Sequence, residues 1–90
     1  MSAINIVSSI VKGQQHVVGP IAIEVAQDVK GLTIENLKHI EITGDEKEVI
    51  KQLVKQYEKL FGHASIEVCK DAVRAIKPSV SNDEIPEILR

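Results

Sequence analysis

The side chains that most often do chemistry in proteins are sparse in this chain: three histidines and one cysteine among 90 residues. They are His16, His39, His63 and Cys69. Metal sites place such ligands at short, regular intervals, as in Cys-x-x-Cys, His-x-x-x-His or His-Glu-x-x-His. Because none of these spacings occurs, we expect no metal site and no bound cofactor. We interpret the histidines as ordinary surface or core-edge residues.

Cys69 falls in the middle of a predicted helix, on an apolar face. A nucleophilic thiol needs an activating histidine or a helix N-terminus beside it. His63 precedes Cys69 by six residues, which places it close to the opposite side of a helix. The sequence therefore predicts a buried, unreactive cysteine. A lone cysteine excludes an intramolecular disulfide, and with no signal-peptide pattern at the N-terminus we expect a cytoplasmic protein.

The pentapeptide Gly62-His63-Ala64-Ser65-Ile66 resembles the Gly-x-Asp-Ser-Leu/Ile loop of acyl and peptidyl carrier proteins. Those proteins are small, acidic helical domains in which the serine opens a helix and takes phosphopantetheine. The resemblance covers these five residues, and Ala64 stands where that family usually has Asp or His. It implies that Ser65 is an attachment site. The same serine equally suits the early turn of a helix that has no such role.

Lysine recurs at every fourth residue of one strongly predicted helix, at Lys47, Lys51, Lys55 and Lys59. This spacing places the ammonium groups along one stripe, opposite Leu53 and Tyr57. The stripe is either a contact for an acidic partner or phosphates, or a solvated face diluted by Glu48 and Glu58. Because no aromatic platform accompanies it and the net charge is −2, we expect neither nucleic acid nor an anionic membrane as partner.

Turn signals divide the chain into five segments that would position these residues. Residues 2–18 favour a helix capped by Ser2, and Gly19-Pro20 starts a second helix that ends at Gly31. Both segments also allow strands, because β-branched residues alternate in them. Residues 32–43 predict a hairpin, in which residues 39–43 alternate apolar and polar side chains and pair with residues 32–34.

The last two helices carry the clearest signals. Thr43-Gly44-Asp45-Glu46 has the spacing of a capping box and precedes a wide apolar stripe that ends at Gly62. Either Thr43 or Asp45 is the predicted cap, because helix starts are uncertain by one or two residues. The following helix, residues 64–76, stops before Pro78. Residues 81–90 form a tail that is either a single turn or an extended docking segment, because Pro86 would break a helix begun at Ser81.

These segments predict one domain over residues 1–90, a mainly α bundle of about four helices with a short hairpin near residues 32–43. The alternative is an α+β domain in which N-terminal strands are covered by two C-terminal helices. No apolar run approaches the length of a membrane span.

We expect a non-catalytic interaction or regulatory module, because no catalytic motif occurs and so short a chain has little room for a pocket beside its core. Aromatic residues make up only 2% of the chain, and a small core without aromatic anchors often gains stability from a partner. The sequence therefore favours a homo-oligomer that associates through aliphatic helix faces. The predicted contact residues are one apolar line of the fifth segment: Ile66, Cys69, Val73 and Ile76. The alternative function is a small ligand-binding or carrier domain that serves an enzyme system.

Overall fold

The N-terminal segment is a helix, α1 (Ala3–Val18), in the computed structural model, which describes residues 3–77 and 79–90. Apolar side chains at helical spacing explain this outcome, since Ile6, Val7, Ile10 and Val11 all fall on the buried face. The interpretation of this segment as strands is wrong. The predicted cap, Ser2, lies outside the described residues.

The second helix, α2 (Ile21–Gln27), is shorter than the sequence predicts. It starts after Pro20 as expected but ends well before Gly31. The reason lies in the hairpin that follows. The Gly31 carbonyl accepts a hydrogen bond of 2.8 Å from the backbone N–H of Thr43, so the chain must already have left the helix at Gly31, which has the turn conformation φ +88°.

The hairpin is confirmed, with β1 (Leu32–Asn36) antiparallel to β2 (His39–Ile42). Leu32 lies opposite Ile42 and Ile34 opposite Ile40 in the register. The side chains of Leu32, Ile34 and Ile40 are buried, so one face of this two-stranded sheet rests on the core. That packing supplies the support that an isolated hairpin lacks.

The long helix α3 (Glu46–Phe61) has the apolar face and the Gly62 end that the sequence predicts. Its cap is Asp45, whose carboxylate accepts hydrogen bonds from the backbone N–H groups of Lys47 (3.0 Å) and Glu48 (3.2 Å). Of the two predicted caps, Asp45 is therefore confirmed and Thr43, whose backbone N–H pairs with Gly31 in the hairpin, is wrong.

The last helix, α4 (Ala64–Arg74), ends two residues before the predicted Ile76. Beyond it, residues 79–90 form two short 3₁₀ turns, Asn82–Glu84 and Glu87–Leu89, on either side of Pro86. Ile85 and Leu89 are buried. The tail is thus a docked segment, and both 3₁₀ turns are too short to be stable away from the helices.

Helices α1 and α4 pack against each other in antiparallel orientation. Gln14 contacts Ser65 at the start of α4, whereas Ser9 shares a surface depression with Ile76 beyond its end. A Cβ atom on Gly13 would lie 3.2 Å from the Cβ of Ala72, so small residues let the two helices approach closely. Among the described residues, no helix combines the length and the apolar character needed to cross a membrane.

Candidate functional site

The contact residues that the sequence predicts lie mostly inside the chain's own core. Ile66, Cys69 and Val73 are buried, and Ile76 is half-buried against the same core. The apolar line of α4 that they form faces inward, where α1 and α3 cover it. Any surface for self-association must therefore be built from other residues.

A buried polar group links the helices at the centre of this core. The side-chain amide of Gln14 donates hydrogen bonds to the carbonyl oxygen of Ser65 (3.1 Å) and to Sγ of Cys69 (3.3 Å). The hydroxyl of Tyr57 donates to the carbonyl oxygen of Ala22 at 2.6 Å. Such bonds fix the helices relative to one another, since a buried polar group that loses its partner is costly.

The Cys69 thiol has no nucleophilic character in this environment. Burial raises its pKa to about 11, against a smaller lowering effect of the hydrogen bond from Gln14. Burial, followed by the proximity of Cys69, also raises the pKa of Tyr57. Both groups therefore stay protonated at neutral pH, and a thiol that does not ionise is a poor nucleophile.

We expect the protein to lose stability as the pH rises from about 9 to about 11. The thiol ionises near pH 9 in the unfolded chain but near pH 11 in the fold, so the unfolded state releases its proton first. The stability due to the neutral thiol is complete below pH 9 and falls by roughly 3 kcal/mol as the pH rises through the folded-state pKa. Urea titrations of the wild type and Cys69→Ala at several pH values will check this. Between pH 9 and pH 10, the free energy of unfolding should fall much less in Cys69→Ala than in the wild type. An equal fall in both proteins would contradict the assignment to Cys69.

The histidines are separated in the fold. His39 Nδ1 lies 3.2 Å from the side-chain oxygen of Asn36 in the hairpin, and His63 Nδ1 lies 3.4 Å from a carboxylate oxygen of Glu58. His16 borders the depression between α1 and α4. Within residues 3–77 and 79–90, no three His, Cys, Asp or Glu side chains are grouped closely enough to hold a metal ion.

The serine of the carrier-like pentapeptide is buried. Ser65 is only 5% exposed, and its carbonyl accepts the hydrogen bond from Gln14. A phosphopantetheine arm on this serine would require the first turn of α4 to open.

The lysine stripe lies on the outer face of α3. Lys47, Lys55 and Lys59 are exposed and Lys51 is half-buried, whereas Leu53 and Tyr57 are fully buried on the opposite face. The predicted orientation of the helix is therefore confirmed.

Exposed apolar residues are concentrated at one end of the molecule. Four large hydrophobic side chains of the described chain are exposed, and three of them lie at the two helix corners: Val17 (64%), Ile21 (44%) and Leu60 (53%). The corners comprise residues 16–23 and 60–66, which contain no Asp, Glu, Lys or Arg although 27% of the chain is charged. We call these two segments together the uncharged end.

Two buried hydrogen bonds hold the segments of the uncharged end side by side. Tyr57, one turn before Phe61, donates to Ala22, and Gln14, one turn before Val18, donates to Ser65. The Tyr57 and Phe61 rings also stack, with centroids 6.4 Å apart, which supports the α3 corner from inside. The buried polar group thus positions an exposed apolar surface rather than an active centre.

Sequence reasoning missed the uncharged end. Residues 16–23 and 60–66 lack Asp, Glu, Lys and Arg, but residues 1–11 lack them too, so the sequence does not single out the two segments. The proximity of the two segments depends on the antiparallel packing of α1 on α4, which no local pattern predicts.

The chain was also compared with known proteins. No family model, no curated protein and no solved structure matches it.

Proposed function

We propose that this protein is a non-catalytic interaction module that forms a two-fold homodimer through its uncharged end. The observation that carries the proposal is the exposure of Val17, Ile21 and Leu60 in two helix-end segments that contain no Asp, Glu, Lys or Arg. Contiguous exposed apolar surface of this kind marks interaction sites on small proteins. The single, buried Cys69 needs no oxidising compartment, which supports a cytoplasmic setting for the dimer.

The absence of charge from this surface favours a second copy as the partner. In a two-fold contact the same patch meets itself, so any charge near the axis opposes an identical charge. An uncharged patch avoids this repulsion. The net charge of only −2 per chain adds little long-range repulsion between copies.

The size of the surface also fits a dimer. A specific interface buries about 800 Å² on each partner, which is about one-seventh of the 5303 Å² of accessible surface of this chain. The two segments of the uncharged end and the helix turns beside them would supply that area. Apolar residues at their centre would become the buried core of the interface.

Light scattering from micromolar to millimolar protein tests the proposal. We expect twice the monomer mass for the wild type and the monomer mass for Val17→Asp and for Leu60→Asp, since an unpaired carboxylate in an apolar interface is costly. Each substitution should raise the dissociation constant at least about tenfold. Circular dichroism should show unchanged helix content.

Ile4→Asp is the matched control. Ile4 is the fourth exposed large hydrophobic residue, and it lies on α1 about 20 Å from Val17 along the helix axis. Ile4→Asp should therefore leave the dimer intact. A monomeric wild type at all concentrations, or a dimer that Ile4→Asp weakens and Val17→Asp does not, would show the proposed surface to be wrong.

A further inference from the structure

The C-terminal tail, residues 79–90, has the internal structure of a short peptide ligand. The backbone N–H groups of Ile85, Leu89 and Arg90 donate to carbonyl oxygens within the tail itself. The Arg90 guanidinium also donates to the carbonyl oxygens of Asn82 (3.0 Å) and Ile85 (3.3 Å). The hydrogen bonds of the tail's turns are therefore made within the tail, which contacts the helices mainly through side chains.

Aliphatic side chains anchor the tail on α4. Ile85, Pro86 and Leu89 are buried, and Ile85 and Leu89 line one depression together with Val73 and Arg74 of the helix. Because both aliphatic anchors are buried and line the same depression, they extend to the same side of the tail.

The α3 side of the docked tail is cationic. Glu87 and Ile88 line a second depression together with Lys51 and Lys55. The acidic tail thus lies beside the middle of the lysine stripe. We define the tail groove by the residues that border the tail on the helices: Val73 and Arg74 of α4, and Lys51 and Lys55 of α3.

The lysine stripe extends beyond the part that the tail covers. Lys47 and Lys59 lie one turn further along α3 on each side, so the stripe is about 18 Å long. Within the described chain, no ion pair involves any of the four lysines. A longer acidic segment in the groove would therefore find four unpaired ammonium groups, two of which, on Lys47 and Lys59, lie beyond the part of the stripe that the chain's own tail covers.

We propose that the tail groove is a binding site for a partner protein's acidic segment with two aliphatic anchors, and that the chain's own tail occupies it in the absence of that partner. The segment chemistry is that of the tail itself, Ile-Pro-Glu-Ile-Leu. Because the tail is covalently attached, it competes at an effective concentration in the millimolar range. A partner segment gains access by making the additional contacts with Lys47 and Lys59. This site is separate from the uncharged end and does not depend on dimerisation.

A labelled peptide of residues 79–90 and the full-length chain test the proposal by fluorescence anisotropy. Leu89→Asp should release the tail and bind the peptide at least about tenfold more tightly than the wild type does, because the competing segment is gone. Adding Lys51→Glu and Lys55→Glu to that variant should weaken binding about fivefold or more. Lys38→Glu, in the hairpin turn, is the control for overall charge and should have no such effect.

Three results would overturn the proposal: no peptide binding by folded Leu89→Asp, equal losses from Lys38→Glu and the groove lysines, or a doubled wild-type mass that Leu89→Asp abolishes. The last result would identify the occupant as the tail of a second copy. Should Leu89→Asp not fold, Glu87→Lys decides the question, because it keeps both anchors and places a like charge beside Lys51 and Lys55. It should bind the peptide several-fold more tightly than the wild type, and equal binding would reject the site.

Discussion

Leu53→Ala should lower the free energy of unfolding by about 2–5 kcal/mol. Leu53 is fully buried at the centre of the inner face of α3, where Ile50, Val54 and Tyr57 are also inaccessible to solvent. Truncation removes the transfer free energy of three carbon atoms and leaves a cavity that closely packed neighbours can only partly fill. Urea titration followed by circular dichroism measures the loss.

Lys55→Ala is the matched control for this substitution. It shortens a side chain on the same helix but on the exposed face, so the free energy of unfolding should change by no more than about 0.5 kcal/mol. Comparable small losses from the two variants would contradict the orientation of α3 on which the core and the lysine stripe depend.

Helical spacing predicted α3 and α4, and alternation with a period of two predicted the hairpin, whereas the β-branched residues of the first two segments allowed both helices and strands. Helix ends were less predictable, since tertiary contacts decide them. Extended pairing with Thr43 ends α2 early, and the same pairing leaves Asp45 as the cap of α3. A capping pattern in sequence fits several neighbouring residues, but the side chain that bonds the first helical N–H groups is that of Asp45.

The orientation of α4 was the main feature that sequence could not resolve. The helix has two apolar lines, one with Ile66, Cys69 and Val73 and the other with smaller residues such as Ala72. Each line could face either the core or a partner. The contact of Gly13 with Ala72 decides the matter, because α1 packs closely on the small residues while the larger ones fill the core.

Gln14 shows how a site residue can follow a pattern and still be missed. It occupies the next position of the buried stripe of α1, one turn after Ile10 and Val11. A polar residue in that position suggests a surface residue unless its partners are known. Those partners, Ser65 and Cys69, lie more than 50 residues away in sequence, so only the fold reveals the bonds.

Gly31→Ala should destabilise the protein by about 3 kcal/mol or more, and two effects add. The backbone of Gly31 has φ +88°, a conformation that costs a residue with a Cβ about 1–2 kcal/mol. In addition, the new Cβ would lie 2.8 Å from the carbonyl oxygen of Thr43 and 3.0 Å from Cγ2 of Val49. The backbone of Thr43 lies on one side of the new Cβ and the buried side chain of Val49 on the other, and neither can shift easily. The hairpin must therefore move away from α3.

Gly44→Ala separates these two effects. Gly44 has a similar φ of +92°, but a Cβ placed there meets no atom within 4 Å. Gly44→Ala should therefore lower the free energy of unfolding only by the cost of the backbone conformation, about 1–2 kcal/mol. Thermal and urea unfolding of both variants gives the difference directly, and hydrogen exchange should show the extra loss of protection in the Gly31→Ala hairpin. Equal destabilisation by the two substitutions would mean that the hairpin does not pack against the start of α3 at this distance.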